Sequence, residues 1–224
     1  MTAPLRLIIF DVDGTLVDSQ GDIVAAMTHA FARADHPAPD HSAVLGIVGL
    51  SLDVAIPRLA PDLPETTHAQ IVQAYKEAYM GLRAQSGVAT SSPLYPHARD
   101  TLEALHAVPE NILGVATGKS MRGLDKLLDG HDLRHLFVTR QVSDHHPSKP
   151  HPSMIQAALS ETGVAPENAV MVGDTSFDME MARAAGVRGI GVSWGYHAPE
   201  ALGAASAILN DFRDLPGVLD QFWR

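Results

Sequence analysis

Four short runs made almost wholly of apolar residues constrain this chain more than anything else in it. They are Leu5 to Phe10, Ile112-Leu113-Gly114-Val115-Ala116, Ala169-Val170-Met171-Val172-Gly173 and Gly189-Ile190-Gly191-Val192. None of them alternates apolar with polar residues in the manner of a half-exposed strand. Each therefore reads as a strand covered on both faces, the kind that parallel sheets contain. Leu136-Phe137-Val138 and Ala207-Ile208-Leu209 are weaker candidates. Helical patterns lie between the runs: Leu102 and Leu105, then Leu124, Leu127 and Leu128, then Met154, Ile155, Ala158 and Leu159, then Met179 to Ala185. Strands alternating with helices imply right-handed βαβ units and an α/β fold with a doubly wound parallel sheet.

Residues 16 to 91 break that rhythm. They carry stripes of helical period (Ile23, Met27, Ala30, Phe31, Ala34; then Ile71, Tyr75, Ala78, Tyr79, Leu82), no convincing strand, and punctuation at Pro37, Pro39, Pro57, Pro61 and Pro64. The expectation is an all-helical cap over 16–91, inserted after the first strand and set over the carboxyl edge of a core made of 1–15 and 92–224.

Composition narrows the classes. The 224 residues are 46% hydrophobic and 19% charged, which fits a packed globular chain and not a disordered one. A net charge of −10 argues against a nucleic-acid or anionic-membrane surface. No cysteine is present, so disulfides, thiolate metal sites and a cysteine nucleophile are excluded. Met1-Thr2-Ala3-Pro4 lacks the basic start of a signal peptide, and no apolar run approaches the ~20 residues of a membrane span. A cytoplasmic protein is expected.

The chemistry-bearing residues fall at strand ends, where open α/β sheets bind ligands. Asp11 and Asp13 leave the first strand in Phe10-Asp11-Val12-Asp13-Gly14-Thr15-Leu16-Val17-Asp18. Thr117-Gly118-Lys119-Ser120 follows the second, Lys149-Pro150 precedes the helix starting near Ser153, and Asp174 and Asp178 follow the Ala169–Gly173 run. Two carboxylates about 4 Å apart repel by ~4 kcal/mol at an effective dielectric near 20. A divalent cation that prefers oxygen ligands, Mg²⁺, would offset this and give the pair a use.

Taken in order, Asp-x-Asp-Gly-Thr-Leu-x-Asp, the strand-terminal Thr117, Lys149-Pro150 and Gly173-Asp174-x-x-x-Asp178 resemble the four motifs of the haloacid dehalogenase superfamily of phosphohydrolases. The likeness spans the whole chain and is greatest to the helical-cap, phosphoglycolate phosphatase-like branch, with its Rossmann-like core. It implies a Mg²⁺-dependent phosphatase acting on a small phosphorylated metabolite through an aspartyl-phosphate, as a monomer or homodimer. Asp11 would be the nucleophile and Asp13 the acid and base. Mg²⁺ would sit on Asp11, the Asp13 backbone carbonyl and Asp174, with Asp178 supporting Lys149 or a metal-bound water. Thr117 and the Gly118 N–H would hold the phosphoryl oxygens while Lys149 neutralises charge. Arg58, with Gly49-Leu50-Ser51, could reach in from the cap toward a substrate carboxylate.

Blander readings stand beside these. Thr117 can simply end a strand, with Ser120 capping the next helix, and Asp174 can be a helix N-cap with Asp178 in the first turn. Arg58 reads equally well as solvent-facing. His145, His146 and His151, set among prolines without metal-ligand spacing, read as a solvated loop rather than a zinc site. Asp13 sets the chain apart from dehalogenases, which carry no acid there, and nothing marks Lys76 as an imine-forming lysine. Phosphoryl transfer of the β-phosphoglucomutase type stays open as an alternative. A non-catalytic phosphate-binding module is the other, weakened because Asp11, Asp13, Lys149 and Asp174 are all intact.

Overall fold

The structure is a computed structural model that describes residues 4–223. Six parallel strands form one sheet: β1 (Arg6–Phe10), β2 (Asn111–Thr117), β3 (Phe137–Val142), β4 (Ala169–Gly173), β5 (Arg188–Val192) and β6 (Ala207–Leu209). Their order is β3-β2-β1-β4-β5-β6. The chain winds outward from β1 in one direction, then returns to its other side at β4. The crevice between the ends of β1 and β4 is therefore the switch point at which such sheets bind ligands.

Ten α-helices are found among the described residues. Between β1 and β2 run α1 (Gln20–Arg33), α2 (His41–Leu45), α3 (Leu52–Leu59), α4 (Glu65–Ser86), α5 (Val88–Ser91) and α6 (Ala98–His106). Then follow α7 (Met121–Gly130), α8 (Ser153–Thr162), α9 (Ser176–Ala184) and α10 (Leu215–Phe222). Among the described residues no helix is long and apolar enough to cross a membrane.

The period of two along β1 sorts its side chains between two cores. Ile8 and Phe10 meet α6, α7 and α10 through Leu102, Leu105, Leu124, Leu127, Leu215 and Leu219. Leu7 and Ile9 face α8 and α9 through Met154, Ile155, Met181 and Ala182. Every residue from Leu7 to Phe10 is fully buried, which is why the run has no polar member.

A third core lies apart from the sheet. Ile23, Met27, Ala30 and Phe31 of α1 close on Ile71 and Ala74 of α4, with Val44, Val48 and Ile56 at one end. Both helical stripes read in the sequence are the faces that meet here. Pro57, read there as punctuation, lies inside α3, a helix of only eight residues. The segments entering and leaving this cap run side by side: Val17 bridges Leu94, Asp18 N–H donates to Pro93 O (2.9 Å) and Tyr95 N–H to Leu16 O (3.0 Å).

Candidate active site

Asp11 leaves β1 fully buried. Both of its carboxylate oxygens lack a hydrogen-bond partner, although the Lys149 ammonium lies 2.9 Å from Oδ1. Lys149, also fully buried, is shared: its Nζ donates to Asp178 Oδ1 at 2.6 Å. Burial pushes Asp11 up to about 7, and the neighbouring Asp178 and Asp13 charges add to this against the pull of Lys149. Burial would discharge Lys149, but Asp11 and Asp178 outweigh it and hold its pKa above that of an ordinary lysine.

Asp174, at the end of β4, is turned back toward the end of β1. Thr15 Oγ1 donates to its Oδ1 (2.9 Å) and the Tyr196 N–H to its Oδ2 (2.8 Å). Two glycines give it room. A Cβ on Gly14, which sits at φ +81°, or on Gly195 would collide with the Asp174 side chain. Burial, then Asp178, then Asp11 raise the pKa of Asp174 well above the carboxylate range. Asp174 is not the helix cap that the sequence allowed. Thr175 caps α9, with Thr175 Oγ1 accepting from the Asp178 N–H (3.3 Å) and Asp178 Oδ2 accepting from the Thr175 N–H (3.0 Å) and Oγ1 (2.7 Å).

Asp11, Asp174 and Asp178 offer oxygens within 4.8 Å of one another. Asp178 is engaged by the Lys149 ammonium on Oδ1 and by Thr175 on Oδ2, whereas Asp174 meets only the neutral donors Thr15 and Tyr196 and Asp11 keeps Oδ2 unpartnered, so Asp11 and Asp174 are the pair with capacity for a cation. A hard divalent ion fits them. The available ligand atoms are all oxygen, and burial together with mutual repulsion leaves the pair short of positive charge even with Lys149 beside Asp11.

Asp13 occupies a different environment two residues on. Its Oδ1 is 2.8 Å from Lys119 Nζ and accepts from Ser19 Oγ. Tyr196 braces Ser19, its hydroxyl accepting from the Ser19 N–H (2.9 Å). Lys119 reaches across to the cap and donates to Tyr79 Oη at 3.2 Å. Burial works against its charge, but Asp13 prevails and raises its pKa.

A cavity of about 990 Å³ opens between sheet edge and cap, lined by Asp11, Asp13, Thr117, Gly118 and Lys119 from the core and by Gly49, Leu50, Ser51, Tyr75, Tyr79 and Arg83 from the cap. Thr117 is buried and accepts from the Lys119 N–H (3.3 Å), leaving its hydroxyl proton free to donate. A Cβ on Gly118 would lie 2.7 Å from Gly49 O, so the cap loop rests directly on this strand end. Ser120 caps α7 by accepting from the Gly123 N–H (3.2 Å).

Arg58 is not among the cavity's lining residues. Its guanidinium lies 5.5 Å above the Phe177 ring, and that stacking draws the long side chain over α9. His146 joins no metal cluster: its ring bonds to Ser153 Oγ and Gln141 Oε1, both at 2.8 Å. The sequence assigns no role to Lys119, Ser19 or Arg83, and offers Tyr196 only as part of a stretch that could pack beside the site, which it does. Lys119, two residues after Thr117 at a strand end, also carried a signal.

A family model described as haloacid dehalogenase-like hydrolase matches residues 8–192. A phosphoglycolate phosphatase of Salmonella typhimurium is 30% identical, the alignment covering 94% of this chain and 91% of that protein. The phosphoglycolate phosphatase of Escherichia coli K12 is likewise 30% identical over 88% of this chain and 85% of its own. Among solved structures, one titled as a predicted phosphoglycolate phosphatase from Haemophilus somnus superposes with a TM-score of 0.84 at 28% identity, covering 97% of this chain and 99% of the other. A haloacid dehalogenase-like hydrolase from Streptococcus pneumoniae gives 0.82 at 28%, covering 96% and 98%.

Proposed function

The chain belongs to the haloacid dehalogenase-like hydrolases, and on that premise we propose that it hydrolyses a small phosphate monoester of the phosphoglycolate type with Asp11 as nucleophile. The cap is taken as 16–91 and the catalytic core as the rest. The observation that carries the reading is the contrast between two carboxylates two residues apart. Asp11 keeps Oδ2 free of any donor, with only the Lys149 ammonium beside Oδ1, so an oxygen lone pair is open to attack phosphorus. Asp13 is tethered through Oδ1 to Lys119 and Ser19, which fixes the carboxyl and turns it to the cavity.

In the first half-reaction an Asp11 oxygen bonds to phosphorus as the ester bond breaks, and Asp13 gives its proton to the departing oxygen. In the second, Asp13 takes a proton from water, which displaces the Asp11 carboxylate and frees phosphate. Thr117 Oγ and the Gly118 N–H bind phosphoryl oxygens. Lys149, pinned by Asp178, holds positive charge beside Asp11 throughout. Mg²⁺ between Asp11 and Asp174 would supply the charge that lets a carboxylate and a phosphate dianion approach each other.

The test is Asp11→Asn in purified, Mg²⁺-loaded protein. Turnover of phosphoglycolate and p-nitrophenyl phosphate is expected to vanish while the circular dichroism spectrum stays native. Residual hydrolysis at wild-type rate would remove Asp11 from the mechanism.

A further inference from the structure

Among the described residues, three basic side chains at or beside the active-site cavity are largely removed from water, and only two of them have an acidic partner. Lys149 lies between Asp11 and Asp178, and Lys119 lies against Asp13. Arg83, in the last turn of α4, is 9% exposed and forms no ion pair among the described residues. Its Nε is buried without a hydrogen-bond partner, and one Nη donates to Ser92 Oγ at a long 3.3 Å.

What Arg83 has instead is an aromatic ring. Its guanidinium lies 5.2 Å from the Tyr79 ring centroid, and Lys119 Nζ lies 5.2 Å from the same centroid. A cation–π contact offsets only a small part of what removing a guanidinium from water costs, and a second cation on the same ring adds repulsion. The cavity lining includes the apolar Ile23, Met27, Val48 and Leu50 and the Tyr75 ring. An unmatched planar donor fork that is itself about nine-tenths buried is a ready carboxylate or phosphate receptor, since charge-assisted bonds strengthen away from water.

We propose that Arg83 is the specificity-determining residue of this cavity, reading a second negative charge on the leaving group of the phosphate ester. The inference rests on the phosphatase reading above and narrows it: the preferred substrate is a phosphate monoester whose far end carries an anion, a carboxylate or a second phosphate. Asp11 and Lys149 take the phosphoryl end, and Arg83 takes the tail from the cap side. It thus fills the place for which the sequence offered Arg58.

The experiment compares esters matched in length but differing in tail charge: phosphoglycolate against ethyl phosphate, and 4-phosphooxybutanoate against butyl phosphate, with propane-1,3-diyl bisphosphate against propyl phosphate for the phosphate tail. In wild-type protein at least one pair is expected to show a preference of ~10- to 100-fold in kcat/KM for the charged tail, carried mainly by KM, the size expected for one desolvated charge-assisted hydrogen bond. Arg83→Met and Arg83→Gln should erase that preference, and Arg83→Lys should restore part of it. A structural role for Arg83 would weaken both members of a pair alike. No preference in any pair, or one that survives both neutral variants, overturns the proposal. Calorimetric binding of the same esters to Asp11→Asn separates the two readings. Tighter binding of charged tails by a protein whose wild type turns over none of the esters would sink the hydrolase and leave Arg83's role standing.

Discussion

At the scale of single residues, the site sorts carboxylates by what surrounds them. Asp11 and Asp13 are near neighbours in the chain, yet Asp11 is fully buried with Oδ2 free of any partner, and Asp13 is held on Oδ1 by both an ammonium and a hydroxyl. Asp174 is equally dry, but two donors aim it at Asp11. Mg²⁺ held by such a pair would relieve its repulsion. Mg²⁺ at 100 times its Kd is therefore expected to stabilise the fold by about 2.7 kcal/mol. In a scanning fluorimetry trace that is a rise in Tm of roughly 5–10 °C for a chain of this size. Asp174→Asn should abolish the shift, and a shift that persists would place the ion elsewhere.

At the scale of elements, the N-terminus of α9 does two things with one residue. Asp178 closes the capping box on Thr175 with Oδ2 and receives Lys149 on Oδ1. A helix cap thereby fixes the ammonium beside Asp11. Thr175→Val removes the hydroxyl that accepts from the Asp178 N–H and donates to Asp178 Oδ2, keeps the Thr175 N–H bond to Oδ2, and is expected to cost about 1 kcal/mol of stability, read from chemical denaturation. It should also lower kcat, because Asp178 loses a tether that orients Lys149. Unchanged kcat at reduced stability would separate cap from catalysis. The strands were legible because double-sided burial leaves no room for polar residues; Asp11, Thr117 and Asp174 were legible because each sits where such a strand stops, and Lys149 only through Pro150 and its order in the chain. The capping residue of α9 was not. Asp174 and Thr175 both have N-cap chemistry, and the choice between them turns on Thr15 and Tyr196, distant in sequence, which hold Asp174 away from the helix.

At the scale of the whole molecule, what escaped the sequence lies between cap and core. Lys119 meets Tyr79, Ser51 N–H donates to Ser148 Oγ (2.9 Å), and Gly118 lies under Gly49, all pairings fixed by how two separately cored units meet. The helices of the cap could be read from their stripes, whereas the orientation of Arg58 and Arg83 could not, since both sit at helix ends with ambiguous faces. The joint itself contains a titratable group. His131, at the end of α7, is buried, and its Nε2–H donates to Ser92 O at 2.8 Å; burial first, then Arg99 and Arg83, lower its pKa below 6.5. The folded state thus binds fewer protons at His131 than the unfolded state does. Its contribution is fully present above pH 6.5 and is lost as pH falls below that value. The drop in Tm from about pH 7.5 to about pH 5.5 is expected to be smaller in His131→Gln than in wild type. Equal drops would mean that His131 is not a source of acid sensitivity.

The two crossings between cap and core are bonded to each other at Val17, Asp18, Pro93 and Leu94. The chain itself joins the two bodies along that one short line, so any swing of the cap about it would carry Arg83 and Tyr79 back to the same wall of the cavity.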